Sequence, residues 1–349
     1  RRCADNLQIA TETREAPQQS FAMWPIRCRL AMVLMPLLPS CTVASVAPII
    51  GVLSVPSDRG CETATAMASN DASDASGVSC FASLYSKFIE MAGGRVMPLL
   101  YDWSDRELED AFSVVNGVLF TGGGVDIAHQ STAEAKQYLH AASVLFNLTL
   151  TSSEWVPLWG TCMGLQTLSV LAAGTGRVLH TNAFDSEDFS LPLNFTKAAN
   201  GSRLFGQMPD QLRSWIMKEN LTSNLHHDGV PPQEFENNPE TLGKIFSVLS
   251  TNYDRKGNIF ASSIEARDRP IFGVQFHPER PLFSWALDEG INHDEHAVET
   301  MQYFANFFIS QARMNSHHFK TKKDEDAALI YNYIPVGRSS YQCYTFQKA

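Results

Sequence analysis

The chain has 349 residues, of which 44% are hydrophobic and 18% charged, and its 27 Lys and Arg residues against 37 Asp and Glu residues give a net charge of −10. This composition argues against wholesale disorder, against a disulfide scaffold built on the seven cysteines, and, because no basic block offsets the acidic charge, against nucleic-acid binding. No fixed-period repeat occurs, so solenoid and fibrous classes are excluded as well.

The N-terminal segment is predicted to be a secretory signal sequence. Two arginines precede the apolar run 30–38, and Ser45-Val46-Ala47 provides the small residues of a cleavage site. The run has about half of the roughly 20 apolar residues that a membrane span needs, and no later segment is long enough to span a bilayer. A buried core helix is the alternative, but the prolines within and just after the run disfavour it. We therefore expect residues 1–47 to be removed.

Four Asn-X-Ser/Thr sequons follow this segment, and such a sequon is the acceptor sequence for N-glycosylation. A single sequon can occur by chance, whereas four behind a signal sequence favour passage through the secretory pathway. The expected destination is a lysosome, a vacuole or the extracellular space. The candidate acceptors are Asn147, Asn194, Asn200 and Asn220.

The first half of the remaining chain alternates apolar runs with amphipathic stretches. Strands are predicted over 48–55, 96–101, 117–120 and 156–160, with a loop over 56–79. Helices are predicted over 81–92, 132–148 and 163–173. A capping box formed by Ser104 and Glu107 predicts the start of one more helix. This order predicts a three-layer α/β/α sandwich with a largely parallel central sheet, whose ligands bind at the carboxyl ends of the strands.

The second half is less regular. Strands are predicted over 247–251, 259–264 and 271–276, with a spacing that favours antiparallel additions to the sheet, and one long helix is predicted over 297–314. We find no interdomain linker. The expected organisation is a single domain over 48–315, with a C-terminal tail over 316–349 packed on the same domain.

The segment Gly160-Thr161-Cys162-Met163-Gly164 joins a predicted strand to a predicted helix, which is the setting of a nucleophile elbow. The glycines permit a tight turn, and the turn presents the Cys162 thiol at a helix N-terminus, where the helix dipole favours the thiolate. A buried cysteine in a glycine-rich turn is the alternative. The flanking strand and helix favour the elbow, so Cys162 is the candidate nucleophile.

A thiol nucleophile needs a base, and His277 directly follows the run 271–276 at the carboxyl end of a predicted strand. Because a residue before proline favours extended geometry, we expect His277 and Glu279 to point the same way along an extended chain. Glu279 would then hold the imidazole and complete a Cys–His–Glu triad. A surface histidine beside an incidental glutamate is the alternative.

Acyl transfer also needs hydrogen-bond donors for the oxyanion. The backbone N–H of Met163, next to the nucleophile, is one candidate. The glycine run 122–124 ends a neighbouring predicted strand, and Gly123 is the candidate for the other donor. A plain turn is the alternative for the three glycines.

The motifs G-T-C-M-G at 160–164 and Q-F-H-P-E at 275–279 resemble those of the class I glutamine amidotransferase-like superfamily, which has a flavodoxin-like α/β/α fold. Within it, residues 48–346 resemble the γ-glutamyl hydrolase family. The matches specific to that family are L-P-L-N-F-T at 191–196 and the tail stretches H-H-F-K at 317–320 and Q-C-Y at 342–344.

The resemblance implies a thiol hydrolase that cleaves the γ-glutamyl bonds of folate polyglutamates through a thioester, with no cofactor and no metal. It implies Cys162 as nucleophile, His277 as base and Glu279 as the support of that base. It also places an active-site histidine at His226; the alternatives are the adjacent His227, or no role for His226 beyond that of a solvated loop histidine. We expect a protonated His226 to contact a substrate carboxylate between about pH 5 and 7, and we expect the protein to be a homodimer.

Gln166 and Arg280 are weaker candidates for substrate binding. Gln166 stands where a glutamate is common in the family, and it resembles the glutamine amidotransferase signature instead. Arg280 directly follows the H-P-E run and would grip a carboxylate through two hydrogen bonds; an exposed rim arginine is the alternative.

Two other functions compete with this interpretation. A glutamine amidohydrolase would use the same triad, but it would need a synthase partner and is usually cytosolic. A catalytically inactive binding protein is disfavoured by the intact candidates Cys162, His277 and Glu279. The H-x-x-H pattern at 293–296 is interpreted as a surface cluster rather than a metal site.

Overall fold

The computed structural model describes residues 46–56, 78–286, 289–337 and 342–347. The expected signal sequence up to residue 45 and most of the predicted loop 56–79 lie outside the described residues. The described residues fall within a single compact unit, Thr42–Ala349. No helix among them is long and apolar enough to cross a membrane.

The elements of the described chain are as follows. The strands are β1 (Ile49–Leu53), β2 (Val55–Pro56), β3 (Val78–Ala82), β4 (Arg95–Leu99), β5 (Gly117–Phe120), β6 (Leu158–Thr161), β7 (Ser186–Leu191), β8 (Asn194–Phe195), β9 (Thr222–His226), β10 (Phe246–Tyr253), β11 (Ile259–Ala266), β12 (Ile271–Val274) and β13 (Cys343–Gln347). The helices are α1 (Ser83–Met91), α2 (Asp105–Phe112), α3 (Ala133–Thr151), α4 (Met163–Ala173), α5 (Arg203–Gly206), α6 (Asp210–Lys218), α7 (Pro232–Asn237), α8 (Leu242–Ile245), α9 (Arg280–Phe283), α10 (Glu295–Ala312) and α11 (Lys322–Ala328).

The main sheet has the strand order β4-β1-β5-β6-β12-β11-β10-β8. Its first five strands run parallel to one another. The last three add antiparallel pairings, so the predicted parallel sheet and its antiparallel extension are both confirmed. The carboxyl ends of β5, β6 and β12 lie side by side, and these are the strands that lead to the candidate site residues.

Successive side chains of a strand point to opposite faces of the sheet, so each buried strand contributes to two cores, one on each face. In β1, Ile49 and Leu53 belong to one core, together with residues of α2, α3 and α4. Ile50 and Val52 belong to the other core, together with residues of α1 and α10. The predicted three-layer α/β/α architecture is therefore confirmed.

The predicted helix over 81–92 is wrong at its start, because residues 78–82 form strand β3. This strand pairs with β13 near the end of the chain, a partner that no local pattern reveals. The pair β7 and β9 was also not predicted. Strand β9 ends at His226, one of the candidate site residues.

The segment that follows α10 is connected to the main sheet through Asn116. The side-chain oxygen of Asn116 accepts the N–H of Ile49 at 2.8 Å, and its nitrogen donates to the carbonyl oxygen of His317 at 2.8 Å. The His317 ring in turn lies 2.9 Å, through Nδ1, from the carbonyl oxygen of Val115. The start of the tail is thereby tied to strand β1 of the main sheet.

Candidate active site

Cys162 occupies a strained turn between β6 and α4, with a φ of 53° that side-chain-bearing residues rarely adopt. Its N–H donates to the carbonyl oxygen of Val274 in β12 at 2.8 Å, which ties the turn to the neighbouring strand. A Cβ on Gly164 would lie 2.3 Å from the carbonyl oxygen of Phe120, so only glycine lets the helix start this close to β5. The sequence thus forms the predicted elbow.

His277 lies beyond the end of β12, and its N–H donates to the carbonyl oxygen of Ser223 in β9 at 2.8 Å. Its Nδ1 atom lies 2.7 Å from Oε1 of the buried Glu279. The expected pairing is present, but the expected extended geometry is wrong. Glu279 has helical backbone angles because the chain turns at Pro278 into α9.

The surroundings of His277 favour its protonated form. Burial alone would lower the pKa of the imidazole, but the charges of Glu279 and Cys162 and the hydrogen bonds to both raise it to about 9. The proton therefore resides on His277 at neutral pH. This arrangement places an imidazolium beside the Cys162 sulfur, and Glu279 stabilises the imidazolium from the other side.

The glycine run after β5 passes close to Cys162 and His277. A Cβ on Gly122 would lie 2.8 Å from Cε1 of His277 and 3.4 Å from Cβ of Cys162. The Gly122 N–H donates to the hydroxyl oxygen of Tyr85 at 2.8 Å and is therefore occupied. Gly123, the next residue, is exposed.

Met163 is the first residue of α4, where backbone N–H groups have no acceptor inside the helix. Its side-chain sulfur lies 3.3 Å from the nitrogen of Val125, in the loop that follows the glycine run. The two backbone groups expected to bind an oxyanion, those of Gly123 and Met163, thus belong to segments that contact each other beside Cys162.

His226 is buried at the end of β9, with its ring 4.6 Å from that of Phe260, centroid to centroid. Its Nδ1 atom lies 2.9 Å from the carbonyl oxygen of Asp228, so Nδ1 carries the proton. Burial lowers the pKa of His226 to about 3. The expectation of a protonated His226 between pH 5 and 7 is therefore wrong, and its Nε2 is a buried acceptor without a hydrogen-bond partner among the described residues.

The neighbouring His227 points away from the core. Its side chain is 56% exposed, and Nε2 lies 3.5 Å from a carboxylate oxygen of Glu187. By contrast, the carbonyl oxygen of Leu225, just before His226, lies 3.9 Å from the sulfur of Cys162. The backbone just before His226 therefore reaches the nucleophile, and His226 is the buried member of the pair whereas His227 is exposed.

Gln166 and Arg280 are both held by other side chains or carbonyl groups of the protein. The Gln166 amide is buried and donates to the carbonyl oxygen of Asp228 at 2.9 Å and to Oε1 of Gln275 at 3.4 Å. Arg280 forms an ion pair with Glu289 and is only 22% exposed, so it is not a rim arginine. Both residues lie close to the site and are engaged by other residues, although Nε of Arg280 is buried without a hydrogen-bond partner among the described residues.

Three contacts of the site were not anticipated, namely those of Tyr85, Gln275 and Glu289. Gln275 lies in the Q-F-H-P-E motif two residues before His277, so the motif carried a signal for it. Tyr85 lies in an apolar helix and carried none.

Among the described residues, no cluster of His, Cys, Asp or Glu side chains suits a metal ion. The sequon residues Asn147, Asn194, Asn200 and Asn220 are all exposed.

Comparison with known proteins identifies relatives along most of the chain. The family model of peptidase C26 matches residues 48–279, which include Cys162, His226, His277 and Glu279. Rat γ-glutamyl hydrolase is 40% identical over 258 residues, covering 73% of this chain and 78% of the relative. The human γ-glutamyl hydrolase is 39% identical over 272 residues, covering 76% and 82%. Arabidopsis thaliana γ-glutamyl hydrolase 1 is 31% identical over 308 residues, covering 86% and 82%.

Proposed function

This chain belongs to the peptidase C26 family, and from that premise we propose that it hydrolyses the γ-glutamyl bonds of folate polyglutamates through a thioester on Cys162. It is a cysteine-dependent hydrolase of γ-glutamyl bonds, as its family and its curated relatives indicate. The observation that carries the assignment of Cys162 is its strained elbow beside the buried pair His277 and Glu279.

In the first half of the reaction, the Cys162 thiolate attacks the carbonyl carbon of the γ-amide. The carbon–nitrogen bond breaks as the leaving amine takes the proton that His277 holds. The products of this half are a γ-glutamyl thioester, neutral His277 and the released amine. The raised pKa of His277 fits this role, because the proton is already on the imidazole when the substrate binds.

In the second half, water attacks the thioester carbon and His277 accepts a proton from it. The carbon–sulfur bond then breaks, which restores the thiolate beside the imidazolium and forms the γ-carboxylic acid, which loses its remaining proton to solvent and leaves as the carboxylate. Glu279 stabilises the imidazolium through Nδ1, so it supports both halves without transferring a proton. In both halves the N–H groups of Met163 and Gly123 are the proposed donors to the oxyanion.

His226 is proposed to bind an N–H group of the substrate. Its Nε2 is a lone-pair acceptor, and an acceptor repels a carboxylate but binds an amide N–H. In a γ-linked polyglutamate, each linkage carries one amide N–H beside its carboxylate. This role replaces the expected contact between a protonated His226 and a carboxylate. Arg280 is paired with Glu289 through Nη1, so that nitrogen reaches a substrate carboxylate only if the ion pair opens.

Glutamine amidohydrolysis is the competing activity, and Gln166 is the residue that suggested it. The Gln166 amide is directed at Asp228 and Gln275 rather than at open space beside the sulfur, which weakens that argument.

The proposal also includes passage through the secretory pathway, glycosylation of the exposed sequons and a homodimeric state. Sensitivity to an N-glycan hydrolase and the mass of the secreted protein in solution test these points.

The substrate is tested by incubating the purified protein with pteroyl-pentaglutamate and, separately, with free glutamine. The proposal predicts shortened folates together with released glutamate or oligoglutamate, and little ammonia from glutamine. Ammonia release from glutamine with the pentaglutamate left intact would refute it. The lengths of the shortened folates also distinguish cleavage at the chain end from internal cleavage.

A further inference from the structure

Gln275 contacts the sulfur of Cys162, since its Nε2 atom lies 3.6 Å from Sγ. The residue is fully buried just beyond β12. An N–H that faces a sulfur stabilises the thiolate more than the thiol, because hydrogen bonds to charged acceptors are the stronger ones. The contact therefore bears on how much of the nucleophile is ionised.

The neighbouring contacts fix which end of the Gln275 amide faces the sulfur. A backbone carbonyl only accepts hydrogen bonds, so the contact of Gln166 with the Asp228 oxygen at 2.9 Å identifies the NH₂ end of Gln166. The same NH₂ group lies 3.4 Å from the oxygen of Gln275. The NH₂ group of Gln275 is consequently directed at Cys162.

We propose that Gln275 is a catalytic residue that donates an N–H to the Cys162 thiolate, and that Gln166 is a positioning residue that fixes the direction of the Gln275 amide. The inference rests on the proposed function, because it assumes attack by the Cys162 sulfur. Gln166 shares the Asp228 carbonyl with Nδ1 of His226. The Gln166 amide therefore connects Gln275, which contacts the sulfur, to the Asp228 carbonyl that holds His226.

The test is the pH dependence of Cys162 alkylation by iodoacetamide, followed by mass spectrometry of the peptide that contains Cys162. Gln275→Met keeps the side-chain length and removes the N–H donors. We expect the midpoint pH of alkylation to rise by about 1 unit, the scale of one charge-assisted hydrogen bond. An unchanged midpoint would overturn the role of Gln275.

Asn252→Leu is the matched control, because Asn252 is another buried amide of the main sheet and its hydrogen bonds go to Pro192 and Ser262. This variant is expected to keep the wild-type midpoint. An equal rise in the control would show general loosening of the sheet and would also overturn the proposal. Thermal unfolding of each variant establishes that folded protein is being compared.

Two further variants separate chemistry from packing. Gln275→Glu preserves the shape but places a carboxylate beside the sulfur, so its midpoint should rise further than that of Gln275→Met; a smaller rise contradicts the proposal. Gln166→Met removes the donor that orients Gln275 without touching the sulfur. Its midpoint should rise, though less than that of Gln275→Met, and no rise would remove Gln166 from the proposal.

These measurements use no γ-glutamyl substrate. A failure of the inference would therefore leave the hydrolysis of folate polyglutamates untouched. Conversely, a failure to cleave pteroyl-pentaglutamate would refute the proposed substrate and leave the alkylation midpoints as they are. The two failures are thus distinguishable by experiment.

Discussion

Nδ1 of His277 lies 2.7 Å from Oε1 of Glu279, and both side chains are almost completely removed from solvent. A carboxylate at this distance in a buried site stabilises the imidazolium strongly, because little water screens the two charges. The pair thereby fixes both the orientation of His277 and the proton on it.

His277→Asn should remove most activity, by about 10²–10⁴-fold in kcat/KM, because proton transfer is lost. Glu279→Gln should reduce activity less, since the imidazole remains. Without the Glu279 charge the pKa of His277 falls from its raised value, so the alkaline limb of the pH–rate profile should move to lower pH. Steady-state kinetics across pH measure both effects; a larger loss in Glu279→Gln than in His277→Asn would contradict these roles.

Gly122→Ala should reduce kcat/KM by about 10²-fold, because its Cβ would lie 2.7 Å from the Tyr85 hydroxyl and 2.8 Å from the His277 ring. Gly124→Ala is the matched control two residues away, where a Cβ meets nothing within 4 Å. The control should retain wild-type activity. Equal kinetics for the two variants would show that the glycine run does not constrain the site.

His226→Gln should reduce kcat/KM on folate polyglutamates without changing the shape of the pH–rate profile between pH 5 and 7. The reason is that His226, with a pKa of about 3, stays neutral across this range. Profiles of the variant and the wild type, scaled to a common maximum, make the comparison. A flattened profile in the variant would show that His226 titrates there and would refute its assignment as a neutral acceptor.

The same residue should make the fold sensitive to acid. In the unfolded chain His226 has a pKa near 6.5 and binds a proton as the pH falls, while the folded chain does not bind it until about pH 3. Its contribution to stability is therefore lost as the pH drops below about 6.5. Urea denaturation gives the free energy of unfolding at each pH between about 4.5 and 6. This free energy should fall with decreasing pH more steeply in the wild type than in His226→Gln, by about 1.4 kcal/mol per pH unit. Parallel slopes would contradict the buried neutral state.

Local patterns were sufficient to predict much of the fold and the tight turn that carries Cys162. The helix over 163–173 has the predicted bounds, and Ser104 and Glu107 form the predicted capping box. The elbow at Cys162 was predictable because glycine spacing, strand and helix are contiguous in the sequence. Such features depend on residues within one or two turns of each other.

The remaining features depend on partners distant in sequence. Strand β3 forms because it pairs with β13. The N–H of Gly122 is occupied by the hydroxyl of Tyr85, a residue 37 positions earlier in the sequence. The protonation of His226 was wrongly expected because burial against Phe260, not the intrinsic imidazole, decides its pKa. Neither pairing nor burial can be inferred from the residues next to these positions.

The central claim is that Cys162 is the nucleophile, and hydrolysis of pteroyl-pentaglutamate by Cys162→Ala tests it most directly. The substitution removes one sulfur atom from a small buried site, so the fold should persist, as circular dichroism and thermal unfolding can verify. The account predicts a folded variant that yields no detectable shortened folate under conditions in which the wild type consumes the substrate. Turnover by the variant at a rate close to that of the wild type would contradict it.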